Sequence, residues 1–145
     1  MTLAPDERLV IDASVAVKWV VTETGSELAE PLLGSELVAP DLLFAECANI
    51  LWKKVRRGEL TKEEAAVAAQ TLEQADFTVV STKGYLGAAT SIAIELDHPA
   101  YDAVYLAAAE AHGLRCVTAD DRLVRKVRDG NSRFQQMLVL LSDTA

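Results

Sequence analysis

Short apolar runs alternate with longer helix-patterned stretches along this whole chain, and that rhythm limits its architecture more than any other feature. Residues 9–11 (LVI), 36–39 (ELVA), 77–80 (FTVV), 114–118 (LRCVT) and 137–141 (MLVLL) are the runs. Each is too short for a helix, and most are rich in valine, isoleucine or leucine, as strands buried on both faces are. Strands separated by helices predict a parallel sheet with helices packed over it. The expectation is a single α/β domain with a five-stranded, doubly wound parallel sheet and a core over about residues 9–141. Such sheets bind their ligands at the carboxyl ends of the strands.

The helical stretches differ in clarity. Residues 41–57 are the clearest, with Phe44, Cys47, Ala48, Leu51 and Val55 on one stripe at helical spacing and Gly58 as the stop. Thr61 and Glu64 form a capping box for a helix reaching residue 75. Residues 85–96 read as helical, Pro99 opens a helix that ends at Gly113, and Asp120 or Asp121 caps another reaching residue 128. Residues 13–21 carry two patterns. Val15, Val17, Trp19 and Val21 alternate as in a strand, but Asp12 and Ser14 offer N-caps, so a helix is expected. Residues 24–33 predict a further helix, with Pro31 an irregularity near its end.

The chain has 145 residues and a net charge of −8. That charge argues against a protein that grips nucleic acid by bulk electrostatics, but not against one that holds metal on carboxylates. Two basic runs interrupt it: Lys53, Lys54, Arg56 and Arg57, then Arg122, Arg125, Lys126 and Arg128. They suit solvated helix ends as well as phosphate contacts. No apolar run approaches the roughly 18 residues that span a bilayer. Asp6, Glu7 and Arg8 precede the first apolar run, so the start does not read as a signal peptide, and no membrane role and a cytoplasmic location are expected. Cys47 and Cys116 lie among apolar residues outside any CxxC pair and are expected as buried, reduced thiols. His98 and His112 have no metal-ligand spacing and are expected at the surface near helix ends. There is no GxxxxGK phosphate loop and no GxSxG nucleophile elbow.

Four acids stand out by position. Asp12 follows the first strand, and Asp120 stands two residues beyond Thr118, so both belong to the ligand-binding edge of the sheet. Glu46 lies inside the clearest helix, on a row with Leu42, Asn49 and Lys53 that borders the apolar stripe. Asp102 is in the first turn of its helix, on a face with Leu106 and Ala109. Each alone has a structural reading: helix caps for Asp12 and Asp120, a dipole partner for Asp102, a base pair for Glu46. Four acids at strand ends and beside apolar faces, with few bases near in sequence, point instead to a bound hard cation, magnesium or manganese rather than zinc.

The segments VIDASV around Asp12, FAECANILWK around Glu46, AYDAVYLAAAEAHG around Asp102 and CVTADDRL around Asp120 together resemble the PIN-domain family, in particular its VapC-type toxins of toxin–antitoxin pairs. The resemblance runs from about residue 9 to residue 141. It implies a metal-dependent endoribonuclease using one or two Mg2+ or Mn2+ ions. The family's acidic quartet carries over to Asp12, Glu46, Asp102 and Asp120. Ser14, Thr118 and Asn49 become groups that orient a carboxylate or water. Asp121 is an additional acid whose place is water-mediated metal binding or the helix cap, and the cap is favoured. Lys53, or an arginine from one of the basic runs, is a candidate to hold a scissile or flanking phosphate. The resemblance also implies an RNA substrate, a cognate antitoxin and a homodimer, with residues 65–72 and Trp52 as contact surfaces or as core. A catalytically silent scaffold and a housekeeping RNA-processing nuclease share the same pattern. A haloacid-dehalogenase-type phosphatase needs a second acid where Ser14 stands, and a receiver-like module needs an aspartate where Ser81 and Thr82 follow the third strand.

Overall fold

A computed structural model describes residues 2–130 and 132–145 of the chain. The strands are β1 (Leu9–Ile11), β2 (Leu37–Pro40), β3 (Thr78–Val80), β4 (Arg115–Thr118) and β5 (Leu138–Leu140). They form one parallel sheet in the order β3-β2-β1-β4-β5. All three β1 residues and all four of β2 are buried, which accounts for their unbroken apolar runs. The strand order reverses between β1 and β4, so the carboxyl ends of those two strands flank the switch point of the sheet.

Among the described residues seven α-helices surround it: α1 (Ala13–Ala16), α2 (Ser26–Ala29), α3 (Leu42–Arg56), α4 (Lys62–Glu73), α5 (Leu86–Leu96), α6 (Ala100–His112) and α7 (Asp121–Asp129). Helix α6 packs on β1, β2 and β4, and its residues Ala103 to Ala109 are all buried. Gly113 ends it with φ 65, a left-handed turn that its missing Cβ permits. The capping box at Thr61 and Glu64 is formed in both directions.

Three local expectations change. Residues 13–21 give only one α-helical turn before a 3-10 turn at Val17–Trp19, because Val15 and Val17 are both drawn into the core. Residues 24–33 split into α2 and a 3-10 segment, Glu30–Gly34, with Pro31 near its start, where a missing N–H is harmless. On α3 the core contacts are Leu43, Cys47 and Leu51, while Ala48 is exposed and Phe44 and Val55 are only partly covered. Phe44 instead meets Phe77 edge-on, with 6.3 Å between centroids. Both cysteines are free and buried. Among the described residues no helix is long and apolar enough to cross a membrane.

Candidate active site

Asp12 leaves β1 and caps α1. Its Oδ1 accepts hydrogen bonds from the Ser14 hydroxyl at 2.5 Å and the Val15 N–H at 3.2 Å. Its Oδ2 accepts from the Thr118 hydroxyl at 2.5 Å. The two hydroxyls also tie the β1–α1 corner to the β4–α7 corner, since Ser14 Oγ accepts from the Ala119 N–H and Thr118 Oγ1 from the Asp120 N–H, each at 3.0 Å. Asp12 is 7% exposed and Thr118 not at all. Every one of its donors is neutral. Burial therefore pushes the Asp12 carboxyl up to about 6; the Ser14 and Thr118 hydroxyls pull the other way, and the negative charge of Asp102 adds to the rise. Asp12 thus caps a helix and also lines a cavity.

Glu46 projects from α3 and is partly buried. Tyr105, 1% exposed on α6, donates its hydroxyl to Glu46 Oε1 at 2.5 Å. Burial raises the Glu46 carboxyl above its usual range, the Tyr105 bond lowers it, and Asp102 raises it again. Burial also drives the Tyr105 phenol far up, helped by Glu46, so it stays a donor at neutral pH. The neighbouring Cys47 thiol is pushed up to about 12, first by burial and then by Asp12 and Glu46, which leaves it unreactive.

Asp102 sits in the first turn of α6. Its Oδ2 lies 2.6 Å from His98 Nε2. Asp120 caps α7, accepting from the Arg122 N–H at 3.0 Å, with the Arg122 guanidinium 3.6 Å away. Asp12, Glu46, Asp102 and Asp120 all line one open cavity of about 500 Å³, together with Ser14 and Asn49. The cavity opens at the switch point between β1 and β4, where a doubly wound sheet binds its ligand.

The remaining predicted residues fall elsewhere. Lys53 is exposed one turn of α3 beyond Asn49 and outside the cavity wall. Asp121 is exposed on α7, 3.7 Å from Arg125, and outside the cavity too. In residues 65–72, Ala68 and Leu72 belong to the core while Val67 is exposed; Trp52 is exposed and lies beneath Arg56. His112 is exposed, 3.0 Å from the Tyr85 hydroxyl, as expected. His98 is not a surface residue, for its side chain is 11% exposed and spent on Asp102. Sequence reading missed Tyr105 as well. A signal for it existed: a tyrosine on a buried stripe needs a partner for its hydroxyl, and Glu46 was the unpaired polar group on the neighbouring helix.

The donor set fits a hard divalent cation. It is all oxygen, it converges on one cavity, and its most buried member carries a charge that no protein cation balances. Among the described residues no three acid, histidine or cysteine side chains form a ready-made metal cage. The acids repel one another and each is tethered to a donor of its own, so they line the wall without closing on a point.

Comparisons with known proteins bear on the family and the fold. The model of the PIN domain matches residues 9–129, a span that holds all four acids. A curated relative, Ribonuclease VapC3 from Pyrobaculum aerophilum, is 36% identical over 124 residues, covering 82% of this chain and 94% of that protein. The crystal structure of PAE2754, also from Pyrobaculum aerophilum, superposes with a TM-score of 0.64 at 21% identity, covering 95% of this chain and 93% of that one, which is a likeness of fold. On the family match over most of its length and the relative at better than one residue in three, the chain belongs to the PIN domain family.

Proposed function

We propose that this chain is a divalent-metal-dependent endoribonuclease, the toxin of a VapBC-type pair, with Asp12, Glu46, Asp102 and Asp120 holding Mg2+ or Mn2+. The observation that carries the reading is Asp12: a buried carboxylate with three neutral donors and no cation, facing three more acids across one cavity. The chemistry supplied by such ions is Lewis-acid activation of water and neutralisation of charge on a departing phosphodiester oxygen. The chain's own residues set the stage for it. Ser14 and Thr118 fix both oxygens of Asp12, so its orientation is set before substrate arrives. Tyr105 holds Glu46 toward the cavity from the opposite helix. Asp120 is anchored to the same hydroxyl network through its backbone N–H and keeps its side chain at the mouth. Asn49 offers an amide on the cavity wall for water or an RNA hydroxyl. Lys53, exposed one turn further along α3, meets a flanking phosphate.

The same reading makes residues 9–141 one nuclease domain, with RNA as substrate, a cognate antitoxin as partner and a cytoplasmic setting. It also makes the chain a homodimer. The exposed Leu86 and Ile94 on α5 support an apolar contact with another copy.

The test is cleavage of a mixed RNA pool by the purified chain with EDTA, Mg2+ or Mn2+, beside Asp102→Asn. Cleavage that needs metal and disappears in the variant supports the reading. Cleavage in EDTA, or undiminished cleavage by Asp102→Asn, overturns the metal site; a pool left intact in every condition favours a silent scaffold.

A further inference from the structure

The corner between α5 and α6 is built more firmly than a simple helix connection requires. Helix α5 ends with Asp97 in the left-handed region, φ 50 and ψ 54, the one non-glycine residue with positive φ among those described. The His98 N–H returns to the Ala93 carbonyl at 3.1 Å and the Asp97 N–H to Ile94 at 3.3 Å, a Schellman closure that usually falls to glycine. The Lys126 ammonium, reaching over from α7, donates to the Asp97 carbonyl. Pro99 then fixes the next φ before α6 begins. Unusual backbone held by several neighbours is found where something must be placed accurately. His98 follows in this corner, and its Nε2 lies 2.6 Å from Asp102 Oδ2.

A carboxylate only accepts, so the imidazole carries its hydrogen on Nε2 and donates it. His98 is the only hydrogen-bond donor to Asp102 among the described residues. A second cavity, lined by His98, Lys126 and Arg122 among others, shares Asp102 and Asp120 with the first, so His98 stands at the junction of the two. We infer that His98 is a positioning residue for Asp102: it holds Oδ2 and thereby sets how that carboxylate is presented to the cation in the main cavity. The inference rests on the metal reading above.

Titration calorimetry of the metal-free full chain with Mn2+ tests it without reference to cleavage. Removing the donor in His98→Ala is expected to weaken Mn2+ binding by about 10- to 100-fold, as loss of a group that orients a metal ligand does. His98→Gln, whose amide nitrogen reaches the place of Nε2, is expected to restore most of the affinity. If His98→Ala does not fold, His98→Asn takes its place, because its shorter amide suits the corner but does not reach Oδ2. A purely structural His98 lowers the melting temperature of the metal-free protein and leaves Mn2+ affinity unchanged, and that result overturns the inference alone. A wild-type chain that takes up no Mn2+ overturns the metal reading and this inference together.

Discussion

Asp12 and Asp102 face the same cavity and are held in opposite ways. Asp12 is sealed between two strand ends, with three donors on its two oxygens and almost no contact with water. Asp102 has a side chain 26% exposed and a single donor, His98, from a neighbouring corner. The first carries a charge that burial makes costly; the second is partly solvated and depends on one donor. On the metal reading proposed above, the contrast describes an ion site that needs no closed cage. One carboxylate, ionised where it has no countercharge, makes the empty site unfavourable and the occupied one favourable. The others need only lie within reach.

The largest effect expected from breaking this contrast is that of Asp12→Asn. Cleavage should fall by about 10²- to 10³-fold, in line with the loss of one preorganised electrostatic group. Stability should move the other way. Burial pushes the folded carboxyl up to about 6 from an ordinary 3.8, so between those pH values the folded state holds a proton that the unfolded state has lost. Stability of the metal-free protein therefore falls as pH rises through that window, and above it the full penalty, about 3 kcal/mol, is present. Melting curves of metal-free protein from pH 4 to 8 should show this decline in wild type and a flatter profile in Asp12→Asn, with the variant the more stable at pH 8. A variant less stable than wild type at pH 8 would mean that the three donors compensate the buried charge after all. Glu46, also raised by burial, contributes a smaller decline of the same sign to both proteins.

The same contrast explains what could be read from the sequence. Strands β1 and β2 were legible because a strand buried on both faces shows an unbroken apolar run, and α6 because Pro99 and Gly113 bracket it. The stretch after Asp12 was not, because its alternating apolar residues fit a strand as well as a helix, and the core takes Ala13, Val15, Ala16 and Val17 together. Among the site residues, the four acids announced themselves by their places at strand ends and on helix faces. The groups that hold them did not. Tyr105 meets Glu46 across 59 residues of sequence, and Thr118 meets Asp12 across 106, so neither pairing has a local signature. His98 is four residues from Asp102, a helical spacing, but it precedes the helix, which begins at Ala100 after Pro99, so helix periodicity alone gave no reason to pair them.

Thr118→Val should come next in size. The substitution keeps the shape of a fully buried side chain and removes both a donor to Asp12 and the acceptor of the Asp120 N–H. Leaving those groups unpaired should lower stability by about 2–3 kcal/mol near neutral pH, measured by urea unfolding. The loss should shrink at pH 4, where Asp12 is protonated and no longer carries a buried charge that needs the missing donor. A loss independent of pH would place the effect on packing or on the Asp120 N–H alone. Tyr105→Phe belongs one step lower. It removes a single hydrogen bond to a half-buried acid, with an expected cost of about 1 kcal/mol and a fall in cleavage of about tenfold, the low end for a group that orients a ligand. Unchanged cleavage there would mean that Glu46 needs no support to act.

The smallest effect should come from Asp121→Asn, and it sharpens the comparison most economically. Asp120 and Asp121 are adjacent, chemically identical and both at the start of α7, yet the chain treats them differently. Asp120 accepts from the Arg122 N–H, has its own N–H fixed by Thr118 and lines the cavity. Asp121 points its side chain, 66% exposed, at Arg125 in a long i,i+4 contact. Exposed pairs of this kind contribute little, and charge removal at such a site should leave stability within about 0.5 kcal/mol. Cleavage by Asp121→Asn should match wild type, while Asp120→Asn loses it. Comparable losses in both variants would mean that the active cavity reaches past the α7 cap, and that position at the strand end, rather than tethering to the Asp12 network, decides which acids serve the site.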